Sequence, residues 1–179
     1  VVTADGTAVI SDGDIGKGQN VWQAMGGMEV GSIWGHGSYV APDWSADWLH
    51  RECVFILDEW AHTHFHKDYD KIEPEQQAAL QKRLELLMRT NTFDPATRTV
   101  AVDPVRARAF EANLKHYADV FGNGNAGYAI PKGAQADPDK LRQLAAFFFW
   151  TSWAASTNRP GAELTYTSNW PHEPLVANR

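Results

Sequence analysis

An uncharged stretch near the C-terminal end restricts the fold more than any other feature of this sequence. Positions 143–158 carry no charged residue, and the part from Leu144 to Trp153 is apolar on all sides. A helix with this pattern must be buried, either in protein or in a membrane. The stretch is 16 residues long and contains Thr151 and Ser152, whereas a membrane span needs about 20 apolar residues. We therefore expect a central, buried helix with the rest of the chain packed around it.

Four more helices are predicted by capping signals and by apolar residues at helical spacing. The clearest stripe consists of Leu49, Cys53, Ile56 and Trp60, at offsets of four, three and four residues. Asp-Pro pairs supply an N-cap and a first-turn proline for the last two helices. The five helices are expected to begin at Asp12 or Asp14, at Asp43 or Ser45, at Pro74, at Asp103-Pro104 and at Asp137-Pro138, and to end near positions 26, 67, 89, 121 and 157. The fold class is therefore mostly α.

The segments between these helices have their own signatures. Two β-prone runs flank Asp94-Pro95, a pair that favours a type I turn, so a small β-hairpin is predicted over 92–102. The glycine-rich stretch 31–42 is too irregular for a helix. The tail, 160–179, is interrupted by prolines and is expected to be extended.

Composition excludes several classes of function. The chain has 179 residues, the size of about one domain, and its 16 basic and 22 acidic residues give a net charge of -6. This balance, without a basic block, argues against nucleic acid as a partner. Cys53 is the only cysteine, which excludes an internal disulfide, a CxxCH haem-attachment motif and a cysteine zinc cluster. Its place on the apolar stripe predicts a small buried side chain and not a reactive thiolate.

A cluster of histidines leaves two interpretations open. His62, His64 and His66 lie near the predicted end of the second helix, close to the carboxylates of residues 58, 59 and 70. His62 and His66 would be one helical turn apart and could hold a metal with a carboxylate as third ligand. The alternative is a solvated helix end without metal. A free-standing periplasmic metal-binding module that uses His62 and His66 is therefore the competing functional hypothesis.

The order of several motifs resembles the N-terminal region of quinol-dependent nitric oxide reductases. The most specific are Val21-Trp22-Gln23 and the turn Gly35-His36-Gly37-Ser38-Tyr39, which leads into Ala41-Pro42. The similarity extends over positions 14–178 and is strongest in 18–23, 31–52, 88–94, 145–151 and 165–175.

The resemblance implies a fold, a location and a parent reaction. Residues 1–179 would form a single periplasmic cytochrome c-like domain, inserted between the first and second membrane helices of a longer polypeptide in the bacterial inner membrane. That parent would bind quinol and NO and convert two NO to N2O and water. Its haem b, haem b3 and non-haem iron would lie in membrane segments outside this chain. This domain would have no turnover of its own and would cap the membrane domain, which is its expected partner.

The resemblance also implies that the haem ligands have been lost and that two calcium ligands have been kept. Gly27, Val30 and Gly31 occupy the positions of a CxxCH motif in related cytochrome c subunits, and Ile130 occupies that of an axial methionine. A domain without haem c would need side chains to fill its interior, because an empty apolar cavity lowers the free energy of unfolding. Trp22, Trp34, Phe148 and Trp150 are the expected fillers. The backbone carbonyls of Gly37 and Tyr39 are expected to bind calcium, but only in the intact enzyme.

Overall fold

The computed structural model describes residues 1–178, and this part of the chain contains five α-helices and a three-stranded sheet. The helices are α1 (Asp14–Ala24), α2 (Trp44–Phe65), α3 (Pro74–Arg89), α4 (Pro104–Gly122) and α5 (Pro138–Ser156). The strands are β1 (Val2–Thr3), β2 (Phe93–Asp94) and β3 (Thr99–Val102). Short 3₁₀ turns cover Gly27–Val30, Tyr69–Lys71, Ala126–Tyr128 and Pro174–Val176. The prediction of a mostly α fold is confirmed, since the structure is 56% helical.

Helix α5 is the centre of the fold, as its uncharged stretch predicts. Every residue from Leu144 to Phe149 is buried, and so is every residue from Thr151 to Ser156. Helices α1, α2 and α4 pack against it. The contact with α1 is very close, because a Cβ atom at Gly18 would lie 1.9 Å from the carbonyl oxygen of Gln143. Only glycine at position 18 allows the two backbones to approach this closely.

Most of the predicted helix starts are confirmed. The carboxylates of Asp43, Asp103 and Asp137 accept hydrogen bonds from first-turn backbone N–H groups. Helix α1 begins at Asp14 and ends at Ala24, close to the expected glycine pair, but its N-cap is Gly13 and not an aspartate.

The predicted hairpin is present, and it belongs to a larger sheet. Phe93 pairs with Val100 in the antiparallel ladder of β2 and β3. Val2 pairs with Ala101, which adds β1 to the other side of β3 in parallel. A two-residue strand carries no periodic signal, so the sequence does not predict β1.

The C-terminal tail folds back on the helices, and the expectation of a simply extended tail was wrong. Asn178 is buried, and its side-chain amide donates to the carbonyl oxygens of Ala155 and Pro171, at 2.8 and 2.9 Å. The Arg89 guanidinium donates to the carbonyl oxygens of Glu163 and Ala177 in the tail. These are contacts between distant parts of the chain, which local proline spacing does not reveal.

Cys53 lies in the smaller of two hydrophobic clusters, between α2, α3 and α4. Its side chain is inaccessible, and burial raises the pKa of the thiol well above its ordinary value. The prediction of a small buried side chain is confirmed. No helix in residues 1–178 has the length and apolar character needed to cross a membrane.

Candidate functional site

Residues 27–31, where the resemblance expects a haem-attachment motif, lie in a 3₁₀ turn between α1 and the following loop. The indole Nε1 of Trp44 donates to the carbonyl oxygen of Val30 at 2.8 Å. Gly31 has a φ of 120°, and a Cβ atom there would lie 2.2 Å from the same Nε1. A histidine side chain at position 31 would therefore collide with the Trp44 indole.

Trp44 is the centre of an aromatic cluster that fills the interior beside this turn. The indole is fully buried and stacks on the ring of Phe148, with 5.6 Å between the ring centroids. It also contacts Phe121, at a centroid distance of 5.3 Å, and Tyr117 and Tyr128, each at 5.9 Å. The space that a prosthetic group would need next to Gly31 is thus taken by packed side chains, and this chain does not fit a haem there.

Ile130, at the position of the expected axial methionine, belongs to the same hydrophobic cluster as Trp44. It is 4% exposed, and it exchanges two backbone hydrogen bonds with Asn125 in an isolated antiparallel β-bridge. Both segments that would hold an iron in a cytochrome c-like domain therefore face one apolar interior.

Of the four expected filler residues, Trp34 does not fill the interior, and Trp150 packs against it only in part. Trp22 and Phe148 are buried, but Trp34 is 36% exposed and Trp150 is partly exposed. The indole of Trp34 contacts that of Trp150 at the surface, with 5.4 Å between the ring centroids. Trp44 takes the central place instead. The i, i+4 spacing of Trp44 and Trp48 was a signal for a second buried stripe on α2.

The loop 31–43 is held in shape by the carboxylate of Asp43. This carboxylate accepts hydrogen bonds from the Ser32 hydroxyl at 2.8 Å and from the Gly35 backbone N–H at 2.6 Å. Ser32 Oγ in turn accepts from the backbone N–H of Gly37 at 2.7 Å. The second oxygen of Asp43 caps α2 through Ala46, at 2.9 Å. A single buried side chain therefore ties the loop to the start of the helix.

Gly37 and Tyr39, the predicted calcium ligands, both lie in this loop. Gly37 has a φ of 85°, and a Cβ atom there would lie 2.7 Å from the carbonyl oxygen of Ala41, so the turn requires glycine. The Tyr39 side chain is fully exposed. Among residues 1–178, no hydrogen bond ends on the carbonyl oxygen of either residue. Carbonyl oxygens are of the type that calcium prefers.

The same loop contacts the C-terminal tail through stacked rings. His36 stacks on Trp170, with 4.8 Å between the ring centroids. The Trp170 indole N–H donates to the carbonyl oxygen of Gly35 at 3.3 Å. The tail therefore supports the loop from outside.

Of the two interpretations of the histidine cluster, the metal clamp does not form. Helix α2 ends at Phe65, and its C-cap His66 has a φ of 56°, while its backbone N–H still donates to the carbonyl oxygen of His62. His62 Nε2 instead lies 3.0 Å from a carboxylate oxygen of Asp68. Within the described chain, 1–178, no three His, Cys, Asp or Glu side chains are arranged to hold a metal ion.

A buried ion pair joins α2 to α4 and was not anticipated. Arg106 Nε lies 2.6 Å from Glu52 Oε1, and both side chains are almost fully buried. The indole N–H of Trp48 donates to the other oxygen of Glu52 at 3.2 Å. Glu52 follows Trp48 by one helical turn. A charged residue on the buried side of α2 was therefore the sequence signal for this ion pair. We interpret the pair as structural, since it is enclosed by the core.

A comparison with protein-family models matches residues 1–172 to the model of the NorB cytochrome c-like domain of nitric oxide reductase. A comparison with curated proteins finds no match.

Proposed function

Because this chain belongs to the family of NorB cytochrome c-like domains of nitric oxide reductase, we propose that it is the non-catalytic, haem-free periplasmic cap of a quinol-dependent nitric oxide reductase. The observation that carries the proposal is the packing at Gly31. A Cβ atom there would lie 2.2 Å from the indole of the buried Trp44. The chain therefore keeps the shell of a cytochrome c-like domain while its interior is occupied by its own side chains.

The proposed electron donor follows from the loss of the haem-binding residues. A chain whose only cysteine is the buried Cys53 cannot attach a c-type haem through thioethers. Electrons must then reach the parent enzyme by a route outside this domain, and quinol supplies two electrons and two protons. The balanced reaction is two NO plus quinol to N2O, water and quinone. Haem b, haem b3 and non-haem iron in the membrane domain would supply the redox chemistry, and the quinol site would lie in membrane segments outside this chain.

The proposed place of the domain is on the periplasmic side of the bacterial inner membrane, between the first two membrane helices of the same polypeptide. The loop 31–43 would face the membrane domain. Its Asp43 network gives it one fixed shape, and the side chain at its tip, Tyr39, is fully exposed here. The carbonyl oxygens of Gly37 and Tyr39 would hold a calcium ion whose remaining ligands come from the membrane domain. The ion would link the two domains electrostatically.

The first experiment compares the 179-residue chain with the full-length parent polypeptide in membranes. We expect the chain to give no haem-stained band after denaturing electrophoresis and to consume no NO with a reduced quinol analogue. The parent should consume NO with that donor. A haem-stained band from the chain, NO consumption by the chain, or a parent that accepts electrons from reduced cytochrome c but not from quinol would refute the proposal.

The second experiment tests the cap with Tyr39→Ala and the control Val54→Ala, which truncates an exposed side chain on α2. In the isolated chain both changes should alter the free energy of unfolding by less than about 0.5 kcal/mol, as expected for exposed positions. In the parent, Tyr39→Ala should lower NO consumption, because it removes the exposed side chain at the tip of the loop, and Val54→Ala should not. Neither change removes a backbone carbonyl oxygen, so the calcium content should stay the same in both variants. Equal behaviour of the two variants in the parent would contradict the cap.

A further inference from the structure

A large open groove runs along one face of the domain, between the sheet, α5 and the C-terminal tail, and its volume is about 1250 Å³. Seven aromatic side chains line it, namely Trp34, Phe93, Phe149, Trp150, Trp153, Tyr166 and Trp170. We call this surface the aromatic groove. It lies apart from the interior cluster around Trp44, and the proposed function uses only its edge at Trp34, in the loop 31–43.

The rings of the aromatic groove are held in place by the protein and expose apolar surface. The indole N–H of Trp34 donates to the carbonyl oxygen of Thr151 at 2.9 Å, and that of Trp170 donates to Gly35. Trp153 stacks on Tyr166, with 5.3 Å between the centroids. Trp34, Tyr166 and Trp170 are nevertheless 36–40% exposed. A contiguous exposed patch of this kind marks an interaction surface.

The charges around the aromatic groove set it apart from the rest of the acidic chain. Its lining contains a single carboxylate, that of Asp12, and a single guanidinium, that of Arg98. In the described part of the chain no carboxylate lies within ion-pairing distance of Arg98. Thr97 and Thr99 flank it, and their hydroxyl groups are hydrogen-bonded to each other and, through Thr97, to the carboxylate of Asp94, at 2.8 Å each. A guanidinium without an ion-pair partner is complementary to a phosphate group, and a chain of net charge -6 is repelled least by anionic phosphates on such a face.

We infer that the aromatic groove binds the phospholipid surface of a bilayer, with its aromatic rings at the level of the headgroups and Arg98 at the lipid phosphates. Tryptophan and tyrosine are the residues enriched at membrane–water interfaces, because each joins an apolar body to a polar tip.

The position of the groove agrees with the proposed function, on which this inference rests. Trp34 belongs to the loop 31–43, and Trp170 donates to Gly35 of that loop. The aromatic groove therefore adjoins the loop that would face the membrane domain. A domain seated in this way would contact its own membrane domain with the loop and the surrounding lipid with the groove.

The test uses the 179-residue chain and vesicles of phosphatidylcholine and phosphatidylglycerol. We expect the chain to float with the vesicles, and we expect brominated acyl chains to quench its tryptophan fluorescence. The double variant Phe93→Ser with Arg98→Gln should weaken vesicle binding about tenfold, since it removes one apolar anchor and one cation. The matched control, Val54→Ser with Lys132→Gln, removes the same kinds of exposed side chain outside the groove and should bind as the unmodified chain does.

Three results would overturn the inference: no flotation of the unmodified chain, equal binding by the double variant, or equal loss in the control. Sedimentation of the chain alone tests whether a second copy of the chain binds in the groove. A dimer that dissociates in Phe93→Ser with Arg98→Gln would assign the groove to a second copy of the chain instead of lipid. None of these readouts involves NO consumption, so failure of the lipid inference and failure of the proposed cap are distinguishable.

Discussion

At the scale of single residues, Trp44 does the most to fill the interior. Its indole donates to Val30 on one side and stacks on Phe148 on the other, and it has no exposed surface. Trp34, a tryptophan of the neighbouring loop, is 36% exposed and contributes to the surface instead. Two tryptophans ten positions apart in the sequence therefore differ greatly in what they stabilise.

We expect Trp44→Ala to lower the free energy of unfolding by about 3–5 kcal/mol, the range for removing a large buried aromatic side chain. Trp34→Ala should cost less than half as much, because 36% of the residue is already in water, and its losses are one hydrogen bond to Thr151 and the contact with the Trp150 ring. Urea denaturation of both variants gives the comparison. Similar losses at the two positions would show that the interior is not organised around Trp44.

At the scale of elements, the aspartates that begin the helices differ in how much structure they hold. Asp137 is exposed and accepts hydrogen bonds only from the first turn of α5, from Asp139 and Lys140. Asp43 is 7% exposed and accepts from the first turn of α2 and also from Ser32 and Gly35 in the loop. Asp43 thus joins a helix to a loop, whereas Asp137 stabilises a helix end alone.

Asp137→Ala should cost about 1 kcal/mol, the usual value for an N-cap. Asp43→Ala should cost about 2–3 kcal/mol, because buried donors in the loop also lose their acceptor. The midpoints and slopes of urea denaturation measure the difference. If both variants lose the same amount, then the loop network contributes nothing beyond the cap.

At the scale of the whole molecule, we expect the stability of the fold to depend on pH through His116 on α4. Burial lowers the pKa of this histidine, and the positive charge of Arg51 lowers it further, against smaller opposing effects of Asp47 and Asp119. The unfolded chain takes up a proton near the ordinary pKa of 6.5, and the folded chain does so only at lower pH. In that window the unfolded state binds more protons, so stability falls as the pH falls.

The measurement is urea denaturation at about pH 7.5 and about pH 5.5, on either side of the ordinary histidine pKa. The unmodified chain should lose more stability on acidification than His116→Gln, which has no proton to bind at that position. An equal loss in both proteins would exclude His116 as the cause. A gain of stability on acidification that depends on His116 would show that its pKa is raised and not lowered by folding.

The sequence by itself determined the local structure and the absence of a haem-attachment motif. The uncharged stretch of α5, the Asp-Pro starts of α4 and α5 and the turn at Asp94-Pro95 each act within a few residues of chain, so their signals are complete in the sequence. The motifs around Val21-Trp22-Gln23 and the glycine turn were also sufficient to indicate the family that the comparison matches.

Only the tertiary structure decided which aromatic residues fill the interior, because burial depends on how helices far apart in the sequence pack. It placed Trp44 at the centre of the interior and Trp34 at the surface, paired β1 with β3, and packed the tail on the helices through Asn178. Each of these outcomes rests on contacts between distant segments, and composition and periodicity along the chain carry no record of such contacts.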